Sequence, residues 1–133
     1  MTATGWPRWW RYYRTSAGSS PVGEFLESLP VADRRVVRLA MSLVRREGVA
    51  AARHLRGDLY EVRVTTRGVA YRVMFVLEGS RSQVLLAVEA FRKQTQATPG
   101  HVLQVAEARV SDWRARGERL RHGRSPAKGK VKE

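Results

Sequence analysis

The fold of this chain is decided by two neighbouring runs, Leu59-Tyr60-Glu61-Val62-Arg63 and Ala70-Tyr71-Arg72-Val73-Met74-Phe75. Apolar and polar residues alternate along both runs, and this alternation is typical of β-strands that bury one face. Gly68 marks a turn between them, so the sequence predicts an antiparallel hairpin. Arginine side chains on such a pleated surface can hold a phosphate through a rigid fork of donors.

The register of the hairpin follows from its apolar residues. The valines of the two strands must share one face, because otherwise the core loses half of its members. Every register that meets this condition places Arg63 and Arg72 together on the other face, with Glu61 beside them. A four-residue loop is expected to set the two arginines directly opposite, whereas a two-residue loop is expected to set Glu61 opposite Arg72.

Two arginines this close repel each other unless an anion joins them. Glu61 can be that anion, in a structural salt bridge, and an incoming phosphate is the alternative. Glu89 raises a similar question, because it is the only charged residue in the apolar run from Val84 to Phe91. A charge in such a strand should be paired or functional, so Glu89 is expected either to pair with Arg72 or to act as a base.

The rest of the chain supplies the other elements of a compact α+β domain. Turn and capping residues and apolar spacing predict the order strand, helix, helix, three antiparallel strands, helix, with the helices against one face of the sheet. The first strand is expected at Trp9–Arg14. The helices are expected to begin at Ser20-Pro21, Pro30 and Thr98-Pro99, and the three antiparallel strands at Leu59, Val69 and Val84. The domain is expected to span residues 8–116, and residues 117–133 are expected to form a basic disordered tail.

The charge of the chain indicates a polyanionic partner. There are 25 Lys and Arg residues against 12 Asp and Glu residues, which gives a net charge of +13. Residues 117–133 account for +4 of this charge, so the body of the protein is itself basic at +9. RNA, DNA or the ribosome is therefore the favoured partner, and an acidic protein that neutralises the surface also fits.

Composition also excludes several classes of protein. The absence of cysteine excludes disulfides and thiolate metal sites, and it suits a cytoplasmic location. No apolar run approaches the roughly 20 residues that span a bilayer, so no membrane partner is expected. Three scattered histidines make no metal site, and neither a metal nor another cofactor is expected.

Several segments together resemble a known family. They are His54–Arg63, Tyr71-Arg72-Val73, Phe91–Pro99 and, near the N-terminus, Tyr12-Tyr13-Arg14 with Ser20-Pro21-Val22. In this order they resemble the phage-derived, HigB-like branch of the RelE/ParE toxin superfamily, over roughly residues 8–116. The resemblance implies a small microbial-ribonuclease-like fold and a type II toxin that cleaves mRNA on the ribosome and so inhibits translation. It also implies a cognate antitoxin, a HigA-like helix-turn-helix protein.

The resemblance also implies a catalytic site. Family members carry basic residues at the positions of Arg63 and Arg72 and in the segment that begins at Phe91. Arg63 and Arg72 are therefore candidates for stabilising the phosphate, and Lys93 is a candidate for charge stabilisation or for protonating the leaving oxygen. This chain departs from the family pattern because Gln94 follows Lys93, so the segment has one lysine instead of two.

The general base is less well defined by the sequence. Many relatives carry a histidine at the position of Glu89, so Glu61 and Glu89 are both candidates for the base of a metal-independent endoribonuclease. Arg56, Arg92 and His101 are further candidates for binding RNA.

Two other functions stay open at this point. A ParE-like inhibitor of DNA gyrase would share the fold but act on a protein target. A non-catalytic RNA-binding module would also share it, and the missing second lysine favours that alternative. The arginine-rich face of the second helix is expected to be solvated, with RNA binding as its alternative.

Overall fold

The computed structural model describes residues 6–93 and 99–123 of the chain, and it confirms an α+β domain. The elements are β1 (Trp9–Tyr12), α1 (Pro21–Ser28), α2 (Val31–Glu47), a short 3₁₀ helix (Gly48–Ala51), β2 (Arg53–Arg56), β3 (Leu59–Thr66), β4 (Val69–Glu78), β5 (Val84–Arg92) and α3 (Gly100–Gly123). The predicted order is confirmed with one addition, strand β2. This strand is short, charged and mostly exposed, so it lacks the alternation that reveals a half-buried strand.

The five strands form one mixed sheet in the order β1-β5-β4-β3-β2. The pairs β5–β4, β4–β3 and β3–β2 are antiparallel, as predicted for the central strands. However, β1 runs parallel to β5, so the prediction of an antiparallel sheet is wrong for this edge. Nothing local in the sequence specifies this pairing, because the two strands are separated by most of the domain.

Helices cover both faces of the sheet, so the prediction that they lie against one face is wrong. One core lies between the sheet and the pair α1–α2, and its buried members include Val22, Leu26, Val37, Met41, Val44, Val62, Val73, Phe75 and Leu85. The second core lies under α3, and its buried members include Leu59, Met74, Val76, Leu86, Val88, Val102, Ala106 and Val110. Strand β5 contributes to both cores, which explains why it is apolar along almost its whole length.

The β3–β4 turn consists of Arg67 and Gly68, which have φ of +53° and +78°. Positive φ at both central residues is what a type I′ hairpin turn requires. The ladder runs up to this turn, with Thr66 opposite Val69 and Arg63 directly opposite Arg72. A two-residue loop therefore gives the direct opposition that was predicted for a four-residue loop. The shared face of the two arginines is confirmed.

Residues before and within β1 attach that strand to α2. The Arg8 guanidinium donates through Nη1 to the carbonyl oxygens of Arg45 and Arg46, both at 3.1 Å. These carbonyls belong to the last turn of α2, where the helix itself provides no donors. Trp10 adds a second link, because its Nε1 donates to the carbonyl oxygen of Met41 at 2.8 Å.

Gly48 ends α2 in a conformation that other residues avoid, with φ +78° and ψ −160°. A Cβ at this position would also lie 2.9 Å from Nη2 of Arg8. We expect Gly48→Ala to lower the free energy of unfolding by about 1–3 kcal/mol, measured by urea denaturation. The matched control is Gly100→Ala, because a Cβ there meets nothing within 4 Å. Equal stabilities for the two variants would contradict this prediction.

Two polar networks attach the helices to the sheet. Asp33 of α2 is buried, and its carboxylate accepts hydrogen bonds from the hydroxyl of Tyr71 and the guanidinium of Arg67. The Tyr71 hydroxyl is the main cause that holds the pKa of Asp33 below its ordinary value. On the other face, the Tyr13 hydroxyl donates to Asp112 of α3 at 2.6 Å.

The helix α3 continues past Gly117, where the basic tail was predicted to begin, and ends at Gly123. Residues 124–133 of that predicted tail lie outside the described residues. Among the helices in the described ranges, none combines the length and the apolar character needed to cross a membrane.

Candidate functional site

A cluster of charged side chains lies at one end of the sheet, on the face that carries α3. Arg63 of β3 lies opposite Arg72 of β4, and Arg53 of β2 lies opposite Glu61 of β3. Lys93 follows β5, and its backbone N–H donates to the carbonyl oxygen of Ala70 at 2.8 Å, which continues the ladder on the same face as Arg72. We call Arg53, Arg63, Arg72 and Lys93 the cation cluster.

Glu61 lies at the centre of this cluster and is only 3% exposed. Its Oε1 lies 3.7 Å from Nε of Arg72, and its Oε2 lies 3.8 Å from Nε of Arg63. These distances allow an ion pair but are too long for hydrogen bonds. Oε1 of Glu61 and Nε of Arg72 are both buried without a hydrogen-bond partner. The structural role predicted for Glu61 therefore has support, although the pair is incompletely satisfied.

The two arginines differ in depth. The Arg63 side chain is 46% exposed, whereas that of Arg72 is 7% exposed. Nη1 of Arg72 donates to the carbonyl oxygen of Tyr71 at 3.0 Å. The expectation that both arginines are open to an incoming phosphate is therefore wrong for Arg72, because a second core covers its face of the sheet. Alternation along a strand fixes the face of a side chain but not its depth.

The cluster changes the acidity of two of its members. Burial lowers the pKa of Arg72, the carboxylate of Glu61 opposes this change, and Arg63 and Arg53 add to it. The pKa of Lys93 is lowered first by burial and then by the charge of Arg72; the carboxylate of Glu61 opposes this change, and Arg63 and Arg53 add to it. Neighbouring cations disfavour the ammonium form, so Lys93 gives up its proton more readily than an isolated lysine.

Glu89 is paired, as predicted, but its partner is Arg109 of α3 and not Arg72. Nη1 of Arg109 lies 3.2 Å from Oε1 of Glu89 and donates to the carbonyl oxygen of Val88 at 2.8 Å. The carboxylate of Glu89 thus joins α3 to the sheet. This contact makes Glu89 a structural residue and a poor candidate for a base.

The three predicted RNA-binding residues do not come together. Arg56 forms a bidentate pair with Glu107 of α3, with N–O distances of 2.9 and 2.8 Å. Arg92 lies opposite Tyr71 in the ladder, and its charge acts on Asp33, so it belongs to the other face of the sheet. His101 is exposed in the first turn of α3.

Residues 94–98, which include Gln94 of the lysine-containing segment, lie outside the described part of the chain.

Arg53 is the cluster member that the sequence did not reveal, because β2 was not recognised as a strand. A basic residue shortly before the Leu59–Arg63 run is the signal that was available.

Within residues 6–93 and 99–123, no group of three or more His, Asp or Glu side chains could hold a metal ion.

A small α+β domain with a five-stranded mixed sheet and a C-terminal helix is consistent with a RelE-like fold. Residues 24–111 match the model of the family described as Phage derived protein Gp49-like (DUF891), and this range is well over half of the chain. The chain belongs to this family, which is a RelE/toxin-like family found in toxin–antitoxin systems. The match includes every residue of the cation cluster. No curated protein matches the chain.

Proposed function

We propose that this protein is the toxin of a type II toxin–antitoxin system, of the HigB-like branch, and that it cleaves mRNA on the ribosome. The observation that carries this proposal is the cation cluster. Four positive side chains, contributed by three strands and the residue after a fourth, surround the single carboxylate of Glu61. Such an excess of positive charge at one end of the sheet suits the phosphate backbone of RNA.

The proposed reaction uses the 2′-hydroxyl of the RNA as nucleophile. The 2′ oxygen forms a bond to the adjacent phosphorus while the bond from phosphorus to the 5′ oxygen breaks, giving a 2′,3′-cyclic phosphate and a 5′-hydroxyl. Arg63 is assigned to contact the phosphate, because its guanidinium is exposed, and it stabilises the charge that develops there. Lys93 is assigned to protonate the leaving 5′ oxygen.

Arg72 and Glu61 are assigned as positioning residues. Both are buried, so neither side chain is placed to touch the RNA directly. Instead, Arg72 holds Glu61, and the second oxygen of Glu61 faces the Arg63 guanidinium at 3.8 Å. With Glu61 buried and Glu89 paired to Arg109, we assign the proton of the 2′-hydroxyl to water and not to a carboxylate.

One observation favours a second function, a non-catalytic RNA-binding module. Glu61 is buried, and Glu89 is paired with Arg109. Neither carboxylate is therefore free to act as a base at the cation cluster. Binding without cleavage would still block translation. An in-vitro translation assay combined with primer extension on the added mRNA separates inhibition by cleavage from inhibition by binding.

Primer extension on polysome-associated mRNA, after a brief pulse of expression, tests the main proposal. New 5′ ends within open reading frames are expected within minutes. A DNA-damage response without new mRNA ends would instead identify a gyrase inhibitor. Inhibition of translation with intact mRNA would identify the binding module.

The pH dependence of cleavage tests the role of Lys93. Only the ammonium form can donate a proton, so the rate is expected to fall as pH rises through the lowered pKa of Lys93. Lys93→Arg is expected to move this fall to higher pH, and Lys93→Ala is expected to slow cleavage about 100-fold. Single-turnover rates on ribosome-bound mRNA measure both effects. A Lys93→Ala variant that keeps the wild-type pH profile would rule out this role.

A further inference from the structure

The outward face of α2 exposes large apolar side chains that the proposed catalytic site does not use. The exposed fractions are 61% for Val31, 65% for Leu39 and 40% for Leu43. These three residues are half of the strongly exposed large hydrophobic residues in the described part of the chain, the others being Trp6, Trp9 and Val105. Their concentration on one helix distinguishes this surface from the scattered apolar exposure of ordinary proteins.

The three residues lie on one stripe of the surface of α2, which also includes Arg35. Val31, Arg35, Leu39 and Leu43 follow one another at intervals of four residues, so their side chains lie along one side of the helix. The opposite side of α2 is buried against the sheet through residues such as Val37. The helix therefore buries one side in this chain, and its opposite side carries the exposed Val31, Leu39 and Leu43 together with Arg35.

Arginines surround the stripe. The helix α2 carries Arg34, Arg35, Arg38, Arg45 and Arg46. Glu27 of α1 pairs with Arg34 at 2.8 Å and with Arg38 at 3.1 Å. A shallow groove between the two helices is lined by Glu27, Val31, Arg34, Arg35, Arg38, Leu39 and Ser42. The groove thus combines aliphatic side chains with a strong excess of positive charge.

We propose that this groove is the docking site for an acidic amphipathic helix of the antitoxin. The inference rests on the proposed function, because it names the partner of a toxin. Leucines of the partner helix would pack on Val31 and Leu39 within the groove and on the exposed Leu43 further along α2, and its carboxylates would pair with the arginines that line the groove.

The chemistry of the groove argues against other occupants. The apolar residues are aliphatic, whereas RNA bases stack on aromatic rings, which the groove lining does not contain. A second copy of this chain would bring another +13 of charge against the same arginines. An acidic helix satisfies both the apolar stripe and the positive rim.

Co-expression with the protein encoded by the adjacent open reading frame tests this proposal. Leu39→Glu places a carboxylate in the middle of the stripe, and the exposure of Leu39 leaves the fold unaffected, which circular dichroism would verify. The matched control is Val105→Glu on α3, where the side chain is 36% exposed and the change in charge is the same. The affinity of each variant for the co-expressed protein is measured by calorimetry, and rescue of growth is scored in parallel.

The expected result is at least a tenfold loss of affinity for Leu39→Glu and no change for Val105→Glu. The Leu39→Glu variant should stay toxic when the neighbouring gene is expressed, because it lies outside the cation cluster. Equal binding of Leu39→Glu and wild type would overturn this inference alone. Failure of the wild type to bind would overturn both the docking site and the toxin–antitoxin assignment. Loss of RNA binding in Leu39→Glu, with partner binding intact, would identify an RNA surface instead.

Discussion

The Arg63→Ala variant is expected to lose growth inhibition while keeping the wild-type fold. Its side chain is 46% exposed and lies 3.8 Å from Glu61, so its removal leaves the cores intact. Loss of a donor that stabilises transition-state charge typically slows a reaction by about 100- to 1,000-fold. Arg63→Lys should retain part of the rate, because lysine keeps the charge but not the planar fork. Primer extension gives the rates, and thermal unfolding monitors the fold.

Arg92→Ala is the matched control for this prediction. Arg92 is also exposed and lies at the same end of the sheet, but its side chain belongs to the opposite face. We expect this variant to cleave mRNA at nearly the wild-type rate. Equal losses in Arg63→Ala and Arg92→Ala would show that general charge, and not the cation cluster, determines activity.

The Arg72→Ala variant is expected to lose both activity and stability. The Arg72 side chain is 7% exposed and pairs with Glu61, so its removal takes away the buried partner of a buried carboxylate, whose other ion pair is with the exposed Arg63. Removal of one partner from a buried ion pair costs about 3 kcal/mol or more. Urea denaturation at neutral pH measures this loss. The sequence alone places Arg72 on the face of the sheet away from the valines, and that position predicts a variant that folds normally.

A double variant separates the two effects of Arg72. Replacing the whole pair by apolar residues, as in Glu61→Leu with Arg72→Met, should restore most of the stability, because no buried charge is left unpaired. Activity should stay absent, since Glu61 no longer faces the Arg63 guanidinium. Recovery of cleavage in the double variant would contradict the positioning role of this pair.

The sequence determines the central part of this fold because local alternation carries the necessary information. The valines of β3 and β4 set the register, and the register places Arg63 opposite Arg72. Turn and capping residues such as Pro21 and Pro30 locate the helices. These features depend only on neighbours in the chain, so they could be predicted.

Other features depend on contacts between distant residues and could not be predicted. The burial of Arg72 results from a second core on its face of the sheet, and that core exists only because α3 packs there. Likewise, the partner of Glu89 is Arg109, which no spacing rule connects to it. The strand β2, which carries Arg53, could not be predicted because an exposed edge strand lacks the apolar alternation of a half-buried strand.

The parallel pairing of β1 with β5 has a consequence for synthesis of the protein. Trp9–Tyr12 leaves the ribosome well before its pairing partners Val84–Ala87, which are translated much later. Contacts so far apart in sequence form late and slow the acquisition of native structure. The nascent polypeptide therefore cannot pair β1 with β5, or bring Lys93 to the cation cluster, until most of the domain has been translated. A protein proposed to attack translating ribosomes would thus stay unassembled throughout most of its own translation.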